Sequence, residues 1–441
     1  MTEHFALMVP GGRPMAEPAV VRAPLDGAAI ATVEQVDRGG VEQALATAQA
    51  LFCDRDGWLS PDRRIEILRQ TAERMRQCRD WLALEAAREG GKPLVDSLVE
   101  ADRAVDSIRL CAEHLRVSAG AEVPMGRTAG AGGRLAFTHH EPIGPVLAFS
   151  AFNHPLNLIA HQVGPAIAAG CPVIVKPAKA TPLSCLRLVR ILRECGLPEA
   201  WCQPLVTTGA ELSQQMASDP RIGFFSFIGS GKVGWMLRSR LAPGVRCSLE
   251  HGGVAPVIVA ADADLDYALP LLVKGGFYHA GQVCVSVQRI FAQRPIARVL
   301  AERLARSAER LKVGDPTLME TEVGPLIRPQ EVVRVDEWVQ EAAGGGGALL
   351  CGGRALSPTC YAPTVLLDPP ATSRVMTHEV FGPVVCVAAF DELDEAIGRA
   401  NGLPYAFQAA VFTRDLDTAL RASRRLNASA VMINDHTAFR V

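Results

Sequence analysis

Residues 224–234 read FFSFIGSGKVG. An apolar run of strand character, Phe224 to Ile228, meets Gly-x-Gly-x-x-Gly at Gly229, Gly231 and Gly234. Such a strand-to-helix turn lets backbone approach a pyrophosphate and turns free helix N–H groups toward it. An acid, Glu250, follows after about twenty residues, where a dinucleotide fingerprint places its ribose carboxylate. The motif alone is weak. It leaves open whether Glu250 binds a ribose or does something else.

Short apolar runs alternate with helical patterns on both sides of this turn. Upstream lie VLAFS at 146–150, a helix through Leu158 and Ile159 with Pro165 inside it, CPVIVK at 171–176, and LRLVRIL at 186–192. Downstream, PVIVA at 256–260 is followed by a helix near Leu265 to Lys274 and by SVQRIFAQ at 286–293. Buried apolar strands alternating with helices imply an α/β fold with parallel sheets and crossovers. Nearer the N-terminus, Ser60-Pro61 opens a helix with Pro at its favoured first position. A second helical pattern runs from about Val95 to Leu115. Between Val123 and Thr138 Gly and Ala dominate with little periodicity, which reads as a hairpin or arm outside the core.

The chain has 441 residues, 49% hydrophobic and 21% charged, with net charge −2. That is ordinary for a soluble globular protein of two or three domains. It offers no attraction to nucleic acid or to an anionic membrane. The uncharged stretch from Pro142 to Val175 is broken by four prolines and several polar residues, which a spanning helix tolerates badly. The twelve cysteines include no C-x-x-C pair, so reduced thiols, a cytoplasmic location and no metal site are expected.

One cysteine stands apart. In FYHAGQVCVSVQRI, Cys284 follows a turn at Gly281 and precedes an apolar strand. Asn153, in AFNHP, follows a strand, and Glu250 ends the run VRCSLE before Gly252-Gly253. Strand ends followed by glycine are where α/β proteins keep ligands.

Together these residues carry a resemblance over nearly the whole chain. FNHP, VIVKPAKATP, FIGSGKVG, SLEHGG, GQVC, VGPLI and HEVFGPV occur in the order found in the aldehyde dehydrogenase superfamily. The resemblance implies a fold of two doubly wound parallel-sheet domains plus a small oligomerisation arm. Residues 1–121 and 141–251 would bind the cofactor, 252–422 would hold the nucleophile, and 122–140 with 423–441 would form the oligomerisation element. It implies Cys284 as nucleophile, Asn153 as oxyanion donor and Glu250 as the base that activates water, not as a ribose acid. For NAD or NADP it implies Gly229, Ser230 and Gly234 at the pyrophosphate and Lys176 at the adenosine ribose. Glu379 would take the nicotinamide-side ribose, with Phe381 packed beside it. Gly231 completes the glycine motif incidentally, since the family pattern needs only the first and last glycines.

Three departures matter. Members favouring NAD often carry glutamate three residues after the strand-end lysine, where this chain has Lys179; acceptance of NADP is therefore expected. Phe152 replaces the usual tryptophan before Asn153, and His154 follows it. This resembles the branch that handles small aldehydes, including anionic ones, with His154 and Arg440 as candidate contacts. Finally, family members continue some tens of residues beyond Val441, through a strand that pairs with a neighbouring subunit. A homodimer or homotetramer is expected if the C-terminus is complete. Two other readings remain: transfer of the acyl group to coenzyme A, against which Glu250 argues, and a shortened homologue that only binds.

Overall fold

The computed structural model describes residues 2–438. Three sheets organise them. The first is small, with β1 (Glu3–Phe5), β2 (Ala19–Arg22) and β3 (Ala29–Val33) in the order β1-β3-β2. The second has five strands: β4 (Val146–Phe149), β5 (Val173–Lys176), β6 (Cys202–Pro204), β7 (Phe224–Gly229) and β8 (Arg246–His251). All its pairings are parallel, in the order β6-β5-β4-β7-β8.

Why this sheet is wound on both sides can be read from β4. Val146 and Ala148 join a core with Ile159, Val163 and Leu188, while Leu147 and Phe149 join another with Val41, Leu45 and Leu237. Successive side chains leave a strand on opposite faces. Both faces are therefore apolar and helix-covered, as parallel sheets require. Burying each Leu, Ile or Phe this way contributes about 1.5–3 kcal/mol. The helix after β4, Asn157–Ala168, packs on the first face, and the helix after β7, Gly231–Arg238, on the second. The connections thus part between β4 and β7. That divergence opens a crevice at the carboxyl ends of neighbouring strands, where open α/β sheets bind ligands.

The third sheet holds β9 (Ala255–Val259), β10 (Val287–Gln293), β11 (Ala348–Cys351), β12 (Thr364–Leu367), β13 (Val384–Phe390), β14 (Gln408–Phe412) and β15 (Ala430–Ile433). Its order is β11-β12-β13-β10-β9-β14-β15, parallel except for β11 against β12. Residues 430–433, placed by resemblance in the oligomerisation element, pair with β14 as an edge strand of this sheet. Val431 and Met432 pack on its core, which a C-terminal tail read in isolation does not reveal.

Within residues 122–140 the chain folds back on itself. Glu122 bridges Phe137, and Val123 N–H donates to the Ala136 carbonyl at 2.9 Å. Leu135 and Phe137 are exposed. Among the described residues no helix is long and apolar enough to cross a membrane, and no cluster of His, Cys, Asp and Glu is arranged to hold a metal.

Candidate active site

A cavity of about 940 Å³ lies at the carboxyl ends of β4, β7 and β8 and is closed by loops of the third sheet. Cys284, Asn153 and Glu250 all line it, as do His154, Gly229, Ser230, Glu379 and Phe381. Lys176, Lys179 and Gly234 do not, although Ala178, between the two lysines, does.

The glycine turn has a packing reason. A Cβ at Gly229 would lie 2.8 Å from the Phe227 ring, and one at Gly234 2.9 Å from it. Phe227 folds back between the two, so neither position tolerates a side chain. At Gly231 the nearest atom would be 3.6 Å away, an ordinary contact. Ser230 stands before the helix Gly231–Arg238 and makes no side-chain cap, so the first N–H groups stay free for an anion.

Two further motifs meet backbone to backbone. Gly281 has φ +71, and a Cβ there would collide with the Gly382 carbonyl. The loop that leads to Cys284 and the Phe381-Gly382-Pro383 loop can approach only because of that glycine. Likewise a Cβ at Gly252 would strike the Glu379 carboxyl. Phe381 itself adopts φ +49 and meets Phe152 edge-on at 5.8 Å.

Ahead of Cys284, His279, Ala280 and Gly281 have φ of 48°, 54° and 71°. Left-handed conformations at non-glycine residues cost on the order of 1–3 kcal/mol each. The buried surroundings of this turn hold it there.

Asn153 is buried, and its side-chain amide donates to the Gln282 carbonyl at 2.9 Å. That bond fixes the amide and leaves its second N–H for another acceptor. Gln282 is held in turn by its bonds to Pro325 and Ile327.

The electrostatics are those of a dry acidic site. Burial raises the pKa of Glu250, whose carboxyl has no hydrogen bond or ion pair among the described residues. Burial pushes Glu379 up to about 7, against the opposing pull of Arg334 and the Gly253 N–H. Among the described residues its Oε1 is buried without a partner. Cys284 is pushed up to about 12, first by burial and then by the charges of Glu250 and Glu379. The thiol therefore rests protonated, and a cation in the cavity would favour the thiolate. Burial also lowers the pKa of His154, keeping the ring neutral; its Nε2 lies 3.2 Å from the Tyr278 hydroxyl.

Lys176, at the end of β5, has its pKa lowered by burial and by the nearby charge of Lys179, which is exposed. Arg440 lies outside the described residues. Sequence reasoning missed Arg334 and Trp338, which line the cavity one turn apart on the helix Pro329–Gly344. It also missed Arg103, whose charge is felt by Cys284, His154 and His161. Nothing near either arginine in the sequence marks it.

Comparison with known proteins places the chain in a family. The profile of the aldehyde dehydrogenase family matches residues 14–441. Among curated proteins, 3-sulfolactaldehyde dehydrogenase of Priestia aryabhattai is 37% identical over 93% of this chain and 85% of its own. Aspartate-semialdehyde dehydrogenase 1 of Pseudomonas canavaninivorans is 39% identical over 95% of this chain and 88% of its own. Among solved structures, aldehyde dehydrogenase 21 from Physcomitrella patens, in complex with the reaction product succinate, superposes with TM-score 0.94 at 31% identity. That match covers 100% of this chain and 92% of the other. With its site at the strand ends and a family match over nearly its whole length, the chain belongs to the aldehyde dehydrogenase family.

Proposed function

We propose that this protein oxidises a small anionic aldehyde to its carboxylic acid, with NAD or NADP as oxidant. The observation that carries the reading is one cavity lined by Cys284, Asn153, Glu250 and Glu379.

The residues present fit a nicotinamide dinucleotide. The orphaned Glu379 Oε1 suits ribose hydroxyls, and the uncapped helix start at Ser230 suits the pyrophosphate. Lys176 would lie at the adenosine ribose. Lys179, an exposed cation within electrostatic reach of Lys176, suits a 2′-phosphate. Among the solved relatives, a glyceraldehyde-3-phosphate dehydrogenase from Methanocaldococcus jannaschii was complexed with NADP, at 32% identity and TM-score 0.91 over 97% of this chain and 92% of the other. Bound here, the dinucleotide supplies a hydride acceptor that side chains cannot.

The chain's own groups do the rest. The Cys284 sulfur, its S–H bond broken and the proton lost to solvent, adds to the aldehyde carbon as the carbonyl π bond opens to an oxyanion. The free Asn153 N–H and the Cys284 backbone N–H hold that oxygen; one such donor is worth about 3 kcal/mol. Once the hydride has left, a thioester remains. Glu250 takes a proton from water, the hydroxide equivalent adds, and the C–S bond breaks to release the acid.

The anionic preference rests on relatives named for sulfonated and carboxylated aldehydes; Arg103, outside the cavity lining, adds a weak favourable charge at the sulfur and at His154. His154, being neutral, would offer a hydrogen bond and not a charge. Arg440 is the remaining candidate contact. By the same reading residues 1–121 and 141–251 serve the cofactor, 252–422 the nucleophile, and the exposed Leu135 and Phe137 of the arm meet another subunit.

The test is an aldehyde panel with NAD and NADP, following reduced nicotinamide, with Cys284→Ala as control. Carboxylated and sulfonated aldehydes should exceed a neutral aldehyde of equal size in kcat/KM, and NADP should be used at least as well as NAD. Indifference to substrate charge, or turnover by Cys284→Ala, would overturn the reading.

A further inference from the structure

Lys92 and Glu100 form an ion pair that is almost wholly buried, at 1% and 2% exposure. Isolated buried pairs of this kind seldom add net stability, because desolvation of both ions opposes their attraction. Its position in the fold suggests what else it does.

The second carboxylate oxygen of Glu100 accepts from the backbone N–H groups of Leu156 and Asn157, each at 2.9 Å. These open the helix Asn157–Ala168, three and four residues after Asn153. Lys92, for its part, follows Gly91. A Cβ at Gly91 would lie 2.9 Å from the Pro325 ring, and one at Gly324 would collide with the Gly91 carbonyl. The Pro325 carbonyl accepts from the Gln282 side chain at 3.2 Å, and the Gln282 carbonyl accepts from the Asn153 amide. The contacts close a circuit: Asn153, Gln282, Pro325, Gly91-Lys92, Glu100, Leu156 and back to Asn153. It crosses twice between the segment that carries the oxyanion donor and the segments that carry the nucleophile.

We infer that the Lys92–Glu100 pair is a positioning device for Asn153. It pins the loop after β4 to the loop of residues 323–327 and so sets where the amide points. Neither residue touches substrate; both act through Asn153. This rests on the reading that Asn153 holds the oxyanion.

The experiment uses Lys92→Met, Glu100→Gln and the double variant, each also in an Asn153→Ala background. Each single change leaves one ion buried without its partner. The double change removes both charges while the Gln carbonyl can still accept from Leu156 and Asn157. Each single variant should lose kcat by tenfold or more, up to the roughly 10²–10³-fold that loss of an oxyanion donor costs. Cofactor affinity, read by quenching of protein fluorescence, should be unchanged. The double variant should recover most of the loss. In Asn153→Ala the same changes should have little further effect. A loss that is equal and additive in both backgrounds, or that appears as lowered thermal stability with kcat intact, would overturn the inference. Full activity in Asn153→Ala alone would instead overturn the oxyanion reading, which separates the two failures.

Discussion

Two carboxylates share the cavity, Glu250 and Glu379, and they differ in ways that separate their tasks. Glu250 is the next-to-last residue of β8, in a register that pairs it with Ile228 of β7. It borders a second cavity of about 400 Å³ besides the main one, and among the described residues no bond restrains its carboxyl. On the proposed mechanism Glu250 takes a proton from water, and such a base needs that freedom and that access. Glu379 sits in a loop, receives the Gly253 N–H, feels Arg334, and keeps one oxygen unpartnered against a glycine that clears space for it. That is the arrangement of a fixed acceptor. Burial raises the pKa of both, so the protonation state of the site is set by what enters it.

The sharpest way to break the contrast is Glu250→Gln. It should lower kcat by about 10²–10⁴-fold, the usual worth of a general base. A pre-steady-state burst of about one reduced cofactor per site should survive, because hydride loss precedes hydrolysis. Loss of the burst as well would place Glu250 in the earlier step. Glu379→Gln should instead lower kcat/KM for the cofactor by roughly 10–100-fold, the worth of a hydrogen bond to a charged group.

The pH dependence should divide in the same way. Both groups are protonated as pH falls. Below about 7 Glu379 loses its charge, so KM for the cofactor should rise on the acid side, and Glu379→Gln should abolish that rise. The acid limb of kcat, in contrast, should follow Glu250, whose raised pKa places it above an ordinary glutamate. Because the Cys284 thiol is opposed by both carboxylates, its alkylation by iodoacetamide should quicken in either glutamine variant. The smallest effect is expected outside the cavity lining, beside Ala178. Lys179→Glu should shift preference from NADP toward NAD by about tenfold, which is about 1.4 kcal/mol.

How much of this could be read beforehand depends on whether a feature is local. VLAFS, CPVIVK and PVIVA are strands because short apolar runs bounded by Pro, Gly or Ser have no other stable use at that length. Cys284, Glu250 and Asn153 were legible because each lies at a strand end or beside a glycine whose reason is steric and nearby. Arg334 and Trp338 were not, since on an amphipathic helix they look like one polar and one apolar position among many. Lys92 and Glu100 were hidden differently. Eight residues apart around a helix start, they read as two solvated charges, and only the packing of distant segments buries them. The edge strand β15 was missed because its pairing with β14 is a fact about the third sheet and not about residues 430–433.

The left-handed run at His279, Ala280 and Gly281 works like a loaded spring beneath Cys284, the proposed nucleophile. A relaxed substitute such as Ala280→Gly would ease that tension and raise the melting temperature, while letting the sulfur wander. A search for hardier versions of this protein would find such changes first and lose turnover by them, so durability should be sought away from this bend.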